Sequence, residues 1–465
     1  MTSSNPPPTD PRGSDAGVRR RSLLWTGRIP TGRIRMPGST VPPDGPEGEP
    51  GHRARPLFSQ LATLASGRGA AGLLSALWLI TAARTLSPSA FGDLALILAV
   101  GSMGGVLSDL GQQTSLAHET AQLGYLDKRL IGAVLRRRLL LSIAAIAFTS
   151  ALYLSAATNG SFLIPLIYAL SILGTAIYST QIAALTAIGR AQVDGANEVI
   201  SRMGVLVVGW WWLHNGGGLT GAVAVYALAD VVSAVVITLV ARKTLVDSDR
   251  SVSLTNVSLR KTVHLAFAMT AAIVYARVDI WLLGQLKGSV TAGHYAAADR
   301  ILDAVLLIPA ALGSLAIAQT SPLPPSQRWD RTKLLAGLAV LLAALPAAVV
   351  APFAGPIMGW LFGESFRPTA FVLVVLLMSA PFGAVAAACS PVSAVTTRWL
   401  FTIVFGAGLL VNIVLNLILI PTFDATGAAE ANLASELLLA VLLLASIRHQ
   451  RHGRERKMTP QVDGD

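Results

Sequence analysis

Twelve runs of apolar residues, separated mostly by short polar joints, decide what this chain can fold into. A hydrocarbon core about 30 Å thick is crossed by roughly 20 residues of helix. Runs near that length lie at 60–83, 91–114, 134–156, 162–187, 194–213, 220–241, 262–284, 292–319, 333–354, 368–389, 399–420 and 427–447. Backbone groups in lipid must be satisfied within the segment, so each run reads as a helix. The sequence therefore predicts an all-α integral membrane protein with about twelve transmembrane helices. Composition agrees, with 53% hydrophobic and 13% charged residues. The longest loop, around 243–260, contains Asp247-Ser248-Asp249-Arg250 and is too short for a soluble catalytic domain.

A hairpin signature occurs twice in this string. The first copy, Ala83-Arg84-Thr85-Leu86-Ser87-Pro88-Ser89-Ala90-Phe91-Gly92, leads into the apolar run from Leu94. The second begins Gly284-Gln285-Leu286-Lys287-Gly288-Ser289, continues Val290-Thr291-Ala292-Gly293-His294-Tyr295, and leads into Ala296-Ala297-Ala298. Superposing Gly92 on Gly293 places a hydrophobic helix before and after each turn. Duplicated halves with a substrate site between them are a common plan of secondary transporters. The loop at 243–260 falls where a six-plus-six duplication is joined.

Lysine and arginine counts in the loops set the orientation. With a cytoplasmic N-terminus, the inside loops hold Lys128, Arg129, Arg136, Arg137, Arg138, Arg190, Arg242, Lys243, Arg250, Arg260, Lys261, Arg328, Arg331, Lys333 and Arg398. The outside loops hold Arg84, Lys287 and Arg367. The C-terminal segment adds Arg448, Arg451, Arg454, Arg456 and Lys457 inside. This topology accounts for much of the net charge of +11 without nucleic acid as a partner. Residues 1–56 are rich in Pro, Gly, Ser and Arg and read as a disordered basic cytoplasmic tail. Arg20-Arg21 lacks the hydrophobic region a twin-arginine signal needs, and Met36 offers an alternative start. The expected organisation is a tail at 1–56, a first half at 57–242, a linker at 243–260, a second half at 261–447 and a basic tail at 448–465. The single cysteine, Cys389, excludes an intramolecular disulfide.

Four motifs in order carry a family resemblance. They are Arg84, Leu86, Pro88, Phe91 and Gly92 at the first outer turn; Asp109-Leu110-Gly111 at the inner end of the second span; Asp279-Ile280-Trp281-Leu282-Leu283-Gly284 with Ala292-Gly293-His294-Tyr295; and Asn412, Asn416, Ile420-Pro421 and Gly427-Ala428-Ala429. Over roughly 57–447 this pattern resembles Wzx-type polysaccharide flippases, of the superfamily that also holds MATE exporters and lipid II flippases. One departure is Asp424, where family members often carry Gly. The resemblance implies two six-helix bundles forming a V, with both termini cytoplasmic in the plasma membrane. It also implies alternation between inward-open and outward-open states. The implied cargo is an undecaprenyl-pyrophosphate-linked oligosaccharide moved to the outer leaflet. Membrane lipids, a polysaccharide polymerase and glycosyltransferases are implied partners.

Charge inside a span is expensive and points to function, and arginine's planar fork suits a pyrophosphate. Arg68, Arg202, Arg277 and Arg300 fall inside spans at staggered depths and are the candidate substrate-binding residues. A structural reading stands beside each. Glu198 and Arg202 are four apart and share a helix face; Arg300 and Asp303 are three apart. Arg277 and Asp279 do not face each other, so Arg277 needs a partner from another helix or a ligand. Arg68, between Gly67 and Gly69, can snorkel to the inner interface.

No phosphate-cradling Gly-x-x-x-x-Gly-Lys-Ser/Thr loop occurs, and neither cofactor nor metal is expected. Ion coupling would then use acids at depth: Asp279, Asp303, Asp230 and Glu198, with Asp299 and Glu436 also placed there. For Asp230 and Glu436 a hydrogen bond to a neighbouring helix is the plainer reading. Trp210-Trp211-Trp212 reads as an interfacial belt, and Pro309, Pro346 and Pro381 as kinks. A MATE-type cation-coupled drug or metabolite exporter is the alternative function, disfavoured by arginines inside the spans. A membrane polymerase or ligase ranks last, for want of a large outside loop, and no enzymatic activity is expected.

Overall fold

A computed structural model describes residues 57–158, 160–247, 259–320, 323–396 and 398–458. The first half contains α1 (Leu57–Thr85), α2 (Pro88–Asp109), α3 (Gln112–Leu123), α4 (Lys128–Ala156), α5 (Leu163–Ala187), α6 (Ala191–His214) and α7 (Leu219–Arg242). The second contains α8 (Leu259–Tyr275), α9 (Val278–Lys287), α10 (Ser289–Thr320), α11 (Pro325–Val350), α12 (Ala354–Phe362), α13 (Ala370–Thr396) and α14 (Arg398–Met458). Two-residue strands β1 (Leu126–Asp127) and β2 (Leu245–Val246) pair in parallel and tie the start of α4 to the end of α7. Lys128 joins the same tie at 3.2 Å from Asp247.

Seven helical stretches among the described residues are long and apolar enough to cross a membrane, and an eighth if α8 and α9, bent by 44°, form one broken span. The protein is thus an all-α, multi-pass membrane protein. Within the first half α5 packs on α7, α1 on α6 and α2 on α4; in the second, α13 packs on α10, α11 and α14. Helices α2 and α10, which follow the two duplicated hairpins, pack on each other across the halves.

The structure corrects several sequence-derived boundaries. The run expected at 91–114 stops at Asp109, because Leu110 (φ 44°) and Gly111 (φ 77°) both take left-handed conformations. The chain then starts α3, whose polar sequence QQTSLAHETAQL does not suit a span. The Asp-Leu-Gly motif is this corner. Asp109 accepts from the backbone N–H groups of Gly111 and Gln113, both at 3.1 Å, which satisfies donors that a helix start leaves unpaired. Gly111 supplies the left-handed backbone at low steric cost.

The third span begins at Lys128 rather than 134, since Asp127 caps it by accepting from Arg129 N (2.8 Å) and Leu130 N (3.0 Å). The ninth run extends through the 3-10 turn Ala351–Phe353 into α12, a single stretch from Gln327 to Phe362. At the C-terminus helix α14 runs to Met458, so the segment expected as a tail from 448 starts helical. The expected tail at 1–56 and most of the linker lie outside the described residues.

Helix α14 is two helices divided at Asp424, whose φ of 52° and ψ of −135° are glycine-like. The chain doubles back here: a Cβ on Gly427 would stand 3.0 Å from the nitrogen of Ile420. Asp424 therefore holds a backbone conformation that favours Gly. Lys287, at the end of α9, supports the turn through Asp424 Oδ1 (2.7 Å) and the carbonyl of Pro421 (2.9 Å).

Candidate functional site

The duplicated hairpins meet. A Cβ on Gly293 would stand 2.9 Å from the Cα of Gly92, and one on Gly92 would overlap the carbonyl of Ser289. The two sequence-equivalent glycines thus touch where the outer ends of the halves come together. Around them Ser289 Oγ donates to the fully buried Asp93 and accepts from Thr158 N at 2.8 Å. Ser289 N donates to Thr158 Oγ1 at 3.0 Å, and Trp281 Nε1 donates to the carbonyl of Leu152 at 3.1 Å. Arg84, the hairpin arginine, donates to the carbonyls of Trp360 and Leu361 on α12. Phe91 packs edge-on against Phe366, with centroids 5.5 Å apart. At the other end Gly111 lies against Ala266 of α8, and a cavity lies along the seam between α2, α4, α5 and α8.

Two polar clusters lie inside the halves. In the second half Arg277 stands at the break between α8 and α9, and its side chain reaches α10. Its Nη1 donates to Asp299 at 2.9 Å and its Nη2 to Asp303 at 3.4 Å. Arg300 donates to Asp303 at 2.8 Å and stands 3.8 Å from Asp299. Two arginines and two aspartates thus neutralise one another, and the partner Arg277 requires comes from another helix. Asp279, in the first turn of α9, is buried and accepts from Tyr295 OH and from the N–H of Ile280. Glu436 on α14 interacts with Tyr275 of α8 and lies beside Gly383 of α13. The motif asparagines Asn412 and Asn416 are fully buried, Asn416 donating to the carbonyl of Asn412 at 2.9 Å.

In the first half Arg202 donates to Glu198 at 3.1 Å, along one helix face. Asp230 accepts from Ser171 Oγ of α5, a neighbouring-helix hydrogen bond. Among the described residues Asp230 and Asp279 form no ion pair, whereas Glu198, Asp299 and Asp303 each do. Arg68 belongs to α1, but its side chain lies outside the described residues.

Sequence reasoning missed one residue outright. Arg138 was counted as an inside-loop charge, yet α4 begins ten residues earlier, and the side chain is 1% exposed. Nη1 donates to Ser179 Oγ and Thr180 Oγ1, both at 2.8 Å, and to the carbonyl of Ala176 at 3.3 Å. Nε stands 3.6 Å from Asp109 Oδ1. A signal for it existed: Ser171, Thr175 and Ser179 recur every four residues, so α5 presents one face of hydroxyls to a partner.

The fold is thus a helical membrane fold whose two halves meet at the glycine pair, each with a polar cluster within it. The chain resembles the lipid II flippase MurJ in an inward closed conformation, with a TM-score of 0.70 at 12% identity, covering 83% of this chain and 87% of that one. It also resembles an inward-facing multidrug resistance MATE family transporter of the MOP superfamily (TM-score 0.60, 15% identity, 86% of this chain and 96% of that one). A third likeness is to the Vibrio cholerae MATE transporter VcmN in its bent form (TM-score 0.56, 14% identity, 84% and 99%). No curated protein matches the chain by sequence. Residues 59–318 match the family described as polysaccharide biosynthesis protein. The chain belongs to that family.

Proposed function

We propose that this protein moves an undecaprenyl-pyrophosphate-linked oligosaccharide from the inner to the outer leaflet by alternating access, for assembly of a surface polysaccharide. The observation that carries the reading is a transporter fold in a polysaccharide biosynthesis family with arginines inside its spans. A pyrophosphate crossing a low-dielectric region requires fixed positive charge on its path. Arg277 and Arg300 hold that charge in a network which exchanges carboxylate partners for phosphate at little change in geometry, with Arg202 and Arg68 at other depths. The ion that drives the cycle binds at acids without an ion pair, Asp279 and Asp230, rather than at Asp303 or Glu198. A polymerase and glycosyltransferases would act before and after it.

The test is transport of a fluorescent undecaprenyl-pyrophosphate oligosaccharide in proteoliposomes. Wild-type protein is expected to make the inner-leaflet probe accessible to an external quencher, and Arg300→Gln to slow this at least tenfold. Movement of cationic dyes with no movement of the lipid-linked sugar would overturn the reading in favour of the exporter.

A further inference from the structure

The cavity along the seam has a volume of about 420 Å³, within the range of about 300–1,000 Å³ typical of small-molecule sites. Its walls differ in chemistry. One is the hydroxyl face of α5, with Ser171, Thr175 and Ser179, flanked by Tyr168 and by Asp109 at the inner end. The facing wall is α8, which presents Ala266, Met269 and Ile273. Gly105 opens the floor, since a Cβ there would meet nothing within 4 Å.

The direction of the hydrogen bonds selects the ligand. The proton of Ser171 goes to Asp230 behind the wall, and that of Ser179 to the carbonyl of Thr175. Arg138 Nη1 is committed to Ser179, Thr180 and Ala176. What remains toward the cavity is mixed: hydroxyl lone pairs and the Asp109 carboxylate accept, while Gln113, Thr114 and the guanidinium of Arg138 beyond Nη1 supply donors. A phosphate would meet the Asp109 carboxylate as well as Arg138, so an anion gains little net charge here. Asp109 lies beside Arg138, so a bound cation gains little net charge. A neutral polyhydroxyl ring satisfies both walls, because its hydroxyls donate to α5 and Asp109 while its C–H face lies on α8 and the Tyr168 ring.

We propose that this cavity between α5 and α8 binds a single pyranose ring, separately from the arginine–aspartate network of the second half. The site would hold a sugar of the cargo while the pyrophosphate engages that network, a role that rests on the flippase reading. Recognition of the ring itself does not.

The test is saturation-transfer NMR on the detergent-purified full chain. The probes are methyl glucopyranoside, methyl galactopyranoside, methyl mannopyranoside and N-acetylglucosamine, with farnesyl pyrophosphate as the anionic lipid. Wild type is expected to transfer saturation to at least one pyranoside. Gly105→Leu, which fills the floor, is expected to reduce that signal at least fivefold while leaving farnesyl pyrophosphate binding unchanged. Thr175→Val, nearly isosteric, serves as the second variant should Gly105→Leu unfold, with a reduction of at least twofold.

Pyranoside binding without farnesyl pyrophosphate binding upholds the sugar site and counts against the flippase reading. Farnesyl pyrophosphate binding with no pyranoside signal overturns the sugar site alone. Equal pyranoside signal in wild type and both folded variants overturns it as well, as does displacement of the sugars by micromolar tetraphenylphosphonium.

Discussion

Arg277 and Arg300 of the second half and Arg138 of the first are held in opposite ways. In the second, Arg277 and Arg300 face Asp299 and Asp303, and the four charges satisfy one another between the α8–α9 break and α10. In the first, Arg138 is held largely by hydroxyls and a carbonyl of α5, with Asp109 at 3.6 Å and a cavity in front. The first arrangement locks two elements together and releases its charges only when the lock opens. The second keeps one charge still while leaving neutral polar groups for a ligand. On the proposed function, the arginine–aspartate network would take the anionic linkage of the cargo and the cavity its neutral glycan.

The contrast can be broken most readily at Arg277. Arg277→Ala leaves Asp299 and Asp303 with one arginine; removing one partner of a buried pair costs about 3–5 kcal/mol. The partial exposure of Arg277 and Asp303 puts the loss at the low end, about 3 kcal/mol. Unfolding in detergent should show a loss of that order, with much of it recovered in Arg277→Ala/Asp299→Ala. A loss under about 1 kcal/mol would mean that the network holds nothing together.

Arg138→Met is expected to cost less, about 2 kcal/mol, because Asp109 keeps its two backbone N–H donors and the hydroxyls of α5 keep acceptors of their own. Should it equal Arg277→Ala in the same unfolding measurement, the two interiors are not different in kind. The smallest effect belongs to Glu198→Gln. Its pair with Arg202 is a single i,i+4 contact, partly exposed, and about 0.5 kcal/mol or less is at stake. A change of more than about 1 kcal/mol would place Glu198 in a larger network.

The sequence reveals those features that depend on runs and spacing. The apolar runs, the duplicated hairpins and the Glu198–Arg202 pair needed only composition along one helix. Other features depended on where helices come to lie. Arg138 stands in an arginine triplet at the edge of an apolar run, and only the packing of α4 on α5 tells it from Arg136, which points outward. The partners of Arg277 are 22 and 26 positions away on another helix, a distance that no local pattern spans. Helix α3 was hidden because a window of apolar residues does not register two left-handed residues at 110 and 111. Asp424 stood out as a departure from a pattern, and the backbone explains it: the position requires a positive φ, and Lys287 holds the aspartate there.

The meeting of Gly92 with Gly293 bears on the origin of the chain. Equivalent residues touching across a seam are the mark of an isologous interface, the kind that joins two identical subunits about a two-fold axis. If the two halves descend from one ancestral unit, the same surface of that unit would have met its own copy at that glycine. An even number of crossings returns a chain to the side from which it started. Two such genes joined head to tail therefore need no extra helix, only a connector on one side of the membrane.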